Sequence, residues 1–378
     1  MNTPARSATE HRPHAVIRNA GLALLTICLA VTWAHANPIA IQPALNGAAI
    51  DEVIAGEMKA QNIPGLALGI VYNGVLLYAK GYGKADIEND VPVTPDTVFA
   101  IASVSKPVIA LGIARLVEQG KLQFDDPVAK HLPGTPESWK DVRLTHLLSH
   151  TAGIVRESPA FDGERIKPDF EVVSAAFGVP LASPTGTRWD YCNVCYFALA
   201  EVITRVGRDP WPLFLQKEVF QRAGMRDTRT TSVRDIISRR AASYDWKEGR
   251  YENVREYIAL RPSGAFVSTV NDLARLESEL WGGRVVSAGT LRLMETPARL
   301  NDGKPARSSE NSFGYGMGWD VAVIDGRRRV AHGGALAGFR TMYARYPDQG
   351  WAVIVLTNST SGQSDTLERA VAKLLPVL

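Results

Sequence analysis

The chain has 378 residues, of which 46% are hydrophobic and 21% are charged, and its formal net charge is +3. This is an ordinary globular composition, and the length suffices for a large core and two lobes. The small net charge excludes an electrostatic argument for binding nucleic acid or an anionic membrane surface.

The N-terminus has the pattern of a secretory signal peptide. Arg12 and Arg18 precede the apolar run AGLALLTICLAVTW, and the small-x-small site AHA follows at positions 34–36. We expect cleavage after Ala36, which leaves a periplasmic or secreted chain, residues 37–378, without a membrane span. The alternative is a membrane anchor, but an apolar run of roughly 14 residues is short for a spanning helix.

The predicted elements begin with a helix over NGAAIDEVIAGEMKAQNI, followed by the strands GLALGIVYN and GVLLYAKGYG. Asn73-Gly74 joins these strands, and Asn-Gly between apolar runs is a strong hairpin signal. The apolar segment FAIASVSKPVIALGIARLVEQG then predicts a buried helix.

The middle of the chain, about 120–300, has mostly short helical patterns separated by loops. The helical patterns lie at residues 141–154, 195–208, 211–224 and 270–283. The C-terminal part returns to strand patterns and closes with a helix. These last patterns lie at residues 315–325, 327–334, 338–348, 350–358 and 364–378.

Strands at both ends with helices between them predict an α+β fold. One antiparallel sheet is formed by the N- and C-terminal segments, is flanked by helices, and carries an inserted, mostly helical lobe. We expect a single domain over 37–378, with a sheet lobe at about 45–100 and 305–378 and a helical lobe at about 101–304. The cleft between the lobes is the default place for a site.

Ser103 and Lys106 are the first candidate site residues. Pro107 is tolerated only in the first turn of a helix, so it places the helix start near Ser103. Lys106 then lies one turn further on the same face, whereas Ser105 points elsewhere. Burial would lower the pKa of Lys106, and a neutral amine can take the proton of a serine hydroxyl. The alternative is a helix-capping Ser103 with a Lys106 side chain that extends to solvent.

Two further segments complete a pattern. Tyr191-Cys192-Asn193 precedes a helical stretch, and His332-Gly333-Gly334 ends a predicted strand. In this order, the three motifs resemble the active-site serine family of β-lactamases and penicillin-binding proteins. Tyr-x-Asn in the middle is similar to the class C β-lactamase and D-alanyl-D-alanine carboxypeptidase branch, which includes related esterases and D-aminopeptidases. The resemblance covers residues 45–378.

The resemblance implies a serine hydrolase that works through an acyl-enzyme and needs no metal or organic cofactor. Ser103 resembles the nucleophile, and Lys106 its proton acceptor or the group that tunes it. Tyr191 resembles the general base and acid, and a nearby ammonium would have to lower the pKa of its phenol. Asn193 resembles the amide that holds the lysine and the acyl amide of the substrate.

The resemblance also assigns the strand motif to substrate binding. The backbone N–H groups of Ser103 and Ala335 resemble an oxyanion hole. Gly333 and Gly334 would let a substrate lie against the strand edge. His332 stands where many β-lactamases have lysine, so a permanent cation for a substrate carboxylate is missing. We therefore expect a D-amino-acid peptide or a small ester as the substrate, and a β-lactam only weakly.

Several alternatives compete with this interpretation. The chain has no G-x-S-x-G motif, which disfavours an α/β-hydrolase. His146 and His150 have a zinc-compatible spacing, but no Glu follows His146. A catalytically weak penicillin- or peptidoglycan-binding protein is the remaining alternative. The sequence does not indicate an oligomeric state.

Cys192 and Cys195, in YCNVCY, are the only cysteines after residue 36. An exported protein could oxidise them to a local disulfide. Redox chemistry would need an exposed helix start beside a strand. We expect small, packed thiols rather than either alternative.

Overall fold

A computed structural model describes residues 42–162, 165–230, 235–255, 261–264 and 266–376. The predicted signal peptide, residues 1–36, lies outside these ranges. No helix in the described part of the chain has the length and hydropathy needed to cross a bilayer.

The helices include each helical pattern predicted from the sequence. They are α1 (Gly47–Gln61), α2 (Ser105–Glu118), α3 (Leu144–Leu148), α4 (Asp169–Ala175), α5 (Asn193–Gly207), α6 (Trp211–Leu215), α7 (Gln221–Ala223), α8 (Arg261–Gly264), α9 (Val270–Trp281), α10 (Ala288–Met294) and α11 (Ser364–Ala372). A π-helical turn, Gln216–Phe220, joins α6 to α7.

The strands cluster toward the two ends of the chain. They are β1 (Gly65–Tyr72), β2 (Val75–Asp86), β3 (Val91–Pro92), β4 (Phe99–Ala100), β5 (Arg229–Thr230), β6 (Tyr244–Lys247), β7 (Arg250–Asn253), β8 (Phe266–Ser268), β9 (Gly314–Tyr315), β10 (Asp320–Ile324), β11 (Arg327–Leu336), β12 (Phe339–Tyr346) and β13 (Trp351–Thr357).

One eight-stranded sheet contains strands from both ends, in the order β3-β2-β1-β13-β12-β11-β10-β9. Its pairs are antiparallel, and the N- and C-terminal segments meet where β1 pairs with β13, with Leu66 opposite Thr357. The predicted α+β class with an antiparallel sheet is confirmed. Short sheets, β4-β8-β5 and β6-β7, lie outside it.

Helices cover both faces of the central strands, which explains why β1 and β13 read as continuous apolar runs. Alternate residues face opposite sides because the side-chain period of a strand is two. Leu66, Leu68 and Ile70 pack with residues of α1 and α11, including Ile54 and Leu367. Residues on the other face join the larger core, which contains most of α2 and α5. Helix α2 is thereby held against the sheet.

Two predicted helices are shorter than expected. The pattern at 141–154 forms only α3, because His150 just beyond it takes a left-handed backbone conformation, with φ of 60°. The last helix ends at Ala372 rather than at the end of the chain. The segment between α3 and α4 is consequently irregular, and its first residues contact the start of α5 through His150.

Candidate active site

Ser103 lies in a sharp entry turn before α2. The chain passes from β4 into a 3₁₀ turn, Ala102–Val104, and α2 then starts at Ser105. Ala102 has φ of 49°, a conformation that costs free energy for a residue with a Cβ. Ser103 is partly exposed, whereas Ala102 and Val104 on either side of it are buried. The turn therefore presents the Ser103 hydroxyl to the surface of an otherwise buried segment.

Lys106 is fully buried directly behind Ser103. Its Nζ donates to Asn193 Oδ1 at 2.8 Å and to the Ser263 carbonyl at 2.7 Å, and it lies 3.2 Å from Ser103 Oγ. Both of the first two oxygens accept, so they take two N–H groups of Lys106. The remaining position on Nζ faces Ser103. That position either donates to Oγ as an ammonium or accepts the hydroxyl proton as a neutral amine.

The environment of the site lowers the pKa of Lys106 and raises that of Tyr191. Burial lowers the pKa of Lys106 well below 10.5, and the charge of Arg156 lowers it further, while Glu157 raises it. Burial raises the pKa of Tyr191 to about 12, although a hydrogen bond to Ser103 opposes this change. The lowered phenol pKa that a general base at this position would need is not found, because desolvation outweighs the neighbouring charges. At neutral pH Tyr191 is therefore a neutral phenol that can donate a proton.

Tyr191 closes the site from the opposite side. Lys106 Nζ lies 4.6 Å from the centre of its ring, and Arg156 stacks on the ring at 5.0 Å. Ser103 is near enough to the Tyr191 hydroxyl to act on its pKa. Tyr191 lies two residues before α5 and Asn193 begins it, so the helix start places both residues beside the nucleophile.

Cys192 and Cys195 form a disulfide at the same helix start. The expectation of two free thiols is wrong. Cys192 caps α5 and Cys195 lies one turn inside it, which places their Cα atoms 5.3 Å apart, within the range for a disulfide. Both residues are buried, so the exposed sulfur that redox exchange needs is missing.

Asn193 uses both ends of its amide. Oδ1 accepts from Lys106, and Nδ2 donates to Glu157 Oε1 at 2.5 Å. A carboxylate only accepts, so Glu157 fixes which end of the amide faces the lysine. The sequence analysis missed Glu157, since 36 residues separate it from Asn193 and no spacing rule connects them.

His332 is neutral and carries its proton on Nδ1. The Gly333 carbonyl, 2.7 Å from Nδ1, can only accept, so Nε2 is the acceptor for the Tyr315 hydroxyl at 2.9 Å. Burial, with a contribution from the charge of Lys106, lowers the pKa of His332 to about 3. His332 therefore supplies no cation to the cleft at neutral pH, and Tyr315 is a second residue that the sequence analysis missed.

The glycines after His332 let β11 approach the nucleophile. A Cβ on Gly334 would overlap Ile101 O and Thr341 Oγ1, atoms that border the turn before Ser103. Strand β10 pairs with β11 only as far as Ala331, so residues 332–336 have no partner from β10. This free strand edge borders an open cleft of about 560 Å³. The cleft is lined by Ser103, Arg156, Trp189, Tyr191, His332, Gly333, Gly334, Ala335, Arg340, Gly362, Gln363, Ser364 and Asp365.

The structure thus brings together all eight residues predicted from the sequence. Lys106 and Asn193 lie beneath the cleft, and the other six line it. Their catalytic and binding roles stay predictions.

His150 packs against Tyr191 and contacts the start of α5. Its Nδ1 accepts from the Cys192 backbone N–H at 3.0 Å, its carbonyl accepts from Asp190, and its ring lies 4.4 Å from that of Tyr191. Burial lowers its pKa well below 6.5. Nδ1 of His146 accepts from the Arg143 backbone N–H instead. Within the described ranges, no group of three or more His, Cys, Asp or Glu side chains is arranged to hold a metal ion.

Comparisons with known proteins agree with this geometry. The family model described as Beta-lactamase matches residues 50–376. Penicillin-binding protein 4* of Bacillus subtilis is 29% identical over 322 residues, which are 79% of this chain and 69% of that protein.

Two solved structures share the fold. The octameric penicillin-binding protein homologue from Pyrococcus abyssi is 25% identical, with a TM-score of 0.76 over 87% of this chain and 77% of that one. The D-amino acid amidase from Ochrobactrum anthropi SV3, complexed with D-phenylalanine, is 22% identical, with a TM-score of 0.75 over 87% of this chain and 98% of that one. The chain belongs to the β-lactamase family of serine hydrolases.

Proposed function

We propose that this chain is an exported hydrolase that forms an acyl-enzyme on Ser103 and hydrolyses an amide or ester carbonyl. The supporting observation is the contact of Lys106 Nζ with Ser103 Oγ, since its other N–H groups are committed to Asn193 and Ser263. Among the hydrogen-bond partners of Lys106 in the described chain, Ser103 is then the one that can give it a proton.

The proposed reaction has two halves. As Ser103 Oγ bonds to the carbonyl carbon, its proton passes to Lys106, and N–H groups of Ser103 and Ala335 stabilise the oxyanion. When the bond to the leaving amine or alcohol breaks, Tyr191 donates its proton and regains one from Lys106. Water then attacks the acyl-enzyme with the same groups acting in reverse, and Ser103 is released.

The substrate that we propose is a D-amino-acid peptide or amide, or a small ester. The similar fold of a D-amino acid amidase supports the first class. β-Lactams are weak substrates in this proposal because neutral His332 offers no charge to their carboxylate at the position where many β-lactamases have lysine. We expect kcat/KM for cephalosporins below ~10⁷ M⁻¹s⁻¹, the lower edge of the diffusional range. Export is part of the proposal, and N-terminal sequencing of the secreted protein would place the cleavage after Ala36.

The test is Ser103→Ala measured against nitrophenyl esters, D-alanine peptides and a chromogenic cephalosporin. We expect turnover to fall to background on every substrate that the native chain hydrolyses. Ser105→Ala is the matched control, because Ser105 Oγ donates to the Ala102 carbonyl and faces away from the cleft. Unchanged turnover by Ser103→Ala would end the proposal. A penicillin adduct on Ser103 without turnover of any substrate would support the weak binding protein instead.

A further inference from the structure

Arg156 is a cation of the cleft that the proposed reaction leaves unused. It lines the same cleft as Ser103, and its side chain is 67% exposed. In the described chain, no protein acceptor lies within hydrogen-bond distance of its guanidinium, since Glu157 Oε1 is 3.7 Å from Nε and accepts from Asn193 instead. The N–H groups of Arg156 are therefore free to donate to a ligand in the cleft.

The other charged residues that line the cleft are engaged by the protein. Arg340 is partly buried, and its Nη1 donates to two backbone carbonyls at the turn between β11 and β12. Asp365 accepts a hydrogen bond from Arg329 at 2.8 Å. Because His332 is neutral, Arg156 is the exposed cation that the described part of the cleft offers to an anion.

The structure holds Arg156 in place at the start of α5. Its backbone carbonyl accepts from the N–H groups of Asn193 and Val194 at 2.9 and 3.3 Å. Its guanidinium stacks on Tyr191, 5.0 Å from the ring centre. A stacked guanidinium keeps its N–H groups along its edge, where a planar carboxylate can accept two of them. Less side-chain freedom is then lost when an anion binds.

The place of Arg156 favours the acyl part of the substrate. Its backbone is bonded to Asn193, the residue that we expect to hold the acyl amide. Arg156 lies over the ring of Tyr191, whose hydroxyl is near Ser103, so a short spacer must separate the anion from the carbonyl under attack. The ring of Trp189, 6.0 Å from that of Tyr191, lines the cleft and offers apolar surface to such a spacer.

We propose that Arg156 binds a carboxylate on the side chain of the acyl group, so the preferred substrate is an amide or ester of an acidic amino acid. This proposal rests on the proposed function of Ser103 and narrows its substrate class. A carboxylate accepts charge-assisted hydrogen bonds from the guanidinium, whereas a carboxamide of the same shape carries no net charge. A matched acid and amide therefore isolate the contribution of Arg156.

The experiment compares two such substrates, the α-p-nitroanilides of D-glutamate and D-glutamine. We expect the native chain to prefer D-glutamate, and Arg156→Gln to reduce that preference about 5- to 15-fold, between the effects of an exposed ion pair and of a charged hydrogen bond. Arg156→Lys should keep part of the preference, because the charge remains and the forked donor is lost. Arg156→Gln also changes the electrostatic field at Lys106, but that effect falls on both substrates and cancels in the ratio.

Arg222→Gln is the matched control for the loss of charge. It removes one guanidinium from α7, where Arg222 pairs with Glu218 and does not line the cleft. The ratio of the two substrates should stay at the native value. An equal fall in this variant would assign the preference to the net charge of the protein and overturn the role of Arg156.

Binding separates this proposal from the proposed function. In a Ser103→Ala background, D-glutamate α-amide should bind more tightly than D-glutamine α-amide in calorimetry, and adding Arg156→Gln should remove the difference. Selective binding that depends on Arg156 supports the anion site even where turnover fails. Equal binding of the two amides, binding of neither, or an unchanged substrate ratio in Arg156→Gln would overturn the anion site while leaving Ser103 as the nucleophile.

Discussion

Replacing Gly334 with alanine should damage catalysis more than stability. The added Cβ would overlap Ile101 O and Thr341 Oγ1 and would lie 2.9 Å from Ala102 Cβ, about 1 Å inside ordinary carbon–carbon contact. It would also disturb the 2.9 Å hydrogen bond from Thr341 to Ile101 O. Overpacking of this kind costs about 1–3 kcal/mol of folding free energy. Relief requires β11 to move away from the turn that carries Ser103.

That movement separates the two proposed oxyanion donors, the N–H groups of Ser103 and Ala335. Loss of one such donor lowers kcat by about 10²–10³-fold. The assay is kcat and KM on a nitrophenyl ester, together with thermal unfolding of each variant.

Two other glycines serve as controls for Gly334→Ala. A Cβ on Gly333 would crowd the flexible end of Met342, at 3.2 Å, and make ordinary contact with Thr341 O, at 3.8 Å, so Gly333→Ala should lose much less activity. Gly56→Ala meets nothing within 4 Å and should behave as the native chain. A folded Gly334→Ala variant with kcat within about threefold of the native value would refute the role assigned to this close approach.

Two further predictions concern protonation. Because Lys106 must be neutral to accept a proton, kcat/KM should rise with pH through the pKa of Lys106; Glu157 raises that pKa and Arg156 lowers it. Glu157→Gln should therefore shift the acid limb to lower pH, and Arg156→Gln should shift it to higher pH; shifts in the same direction would contradict Lys106 as the base. His332, with a pKa of about 3, should show constant imidazole NMR shifts between about pH 5 and about pH 9, with His332→Asn used to assign the signals. The pKa of His332 is lower in the folded chain than in the unfolded chain, where it is near 6.5. The contribution of His332 to folding stability is therefore fully present above pH 6.5 and is lost as the pH falls from 6.5 toward 3. A titration midpoint near 6.5 would contradict this and show that His332 is hydrated.

Local patterns in the sequence predicted the elements that depend on local physics. Long apolar runs and the Asn73-Gly74 turn indicated the strands. Pro107 indicated that a helix begins near Ser103, and α2 starts two residues later, at Ser105. The spacing of Ser103 and Lys106 then sufficed to place the two side chains in contact. These features depend on neighbours within one or two turns of the chain, which a single sequence displays directly.

Features that depend on distant contacts could not be predicted in this way. Glu157 meets Asn193, and Tyr315 meets His332, only because the loops and strands fold together. The raised pKa of Tyr191 could not be predicted for the same reason, since its burial comes from several segments at once. The left-handed conformation of His150, which shortens α3, likewise depends on its contacts with residues 190–192.

The pairing of β1 with β13 bears on how the protein acquires its structure. Leu66 and Thr357 become neighbours only after nearly the whole chain is available, so closing the sheet carries a large loop-closure entropy. Strand β11, which carries His332, joins the sheet in the same late step, whereas Ser103 and Lys106 lie in the first third of the chain and are synthesised early. A growing chain therefore remains without a finished catalytic centre until its last strands dock. Because β13 lies between β1 and β12, its loss would divide the sheet rather than remove an edge strand.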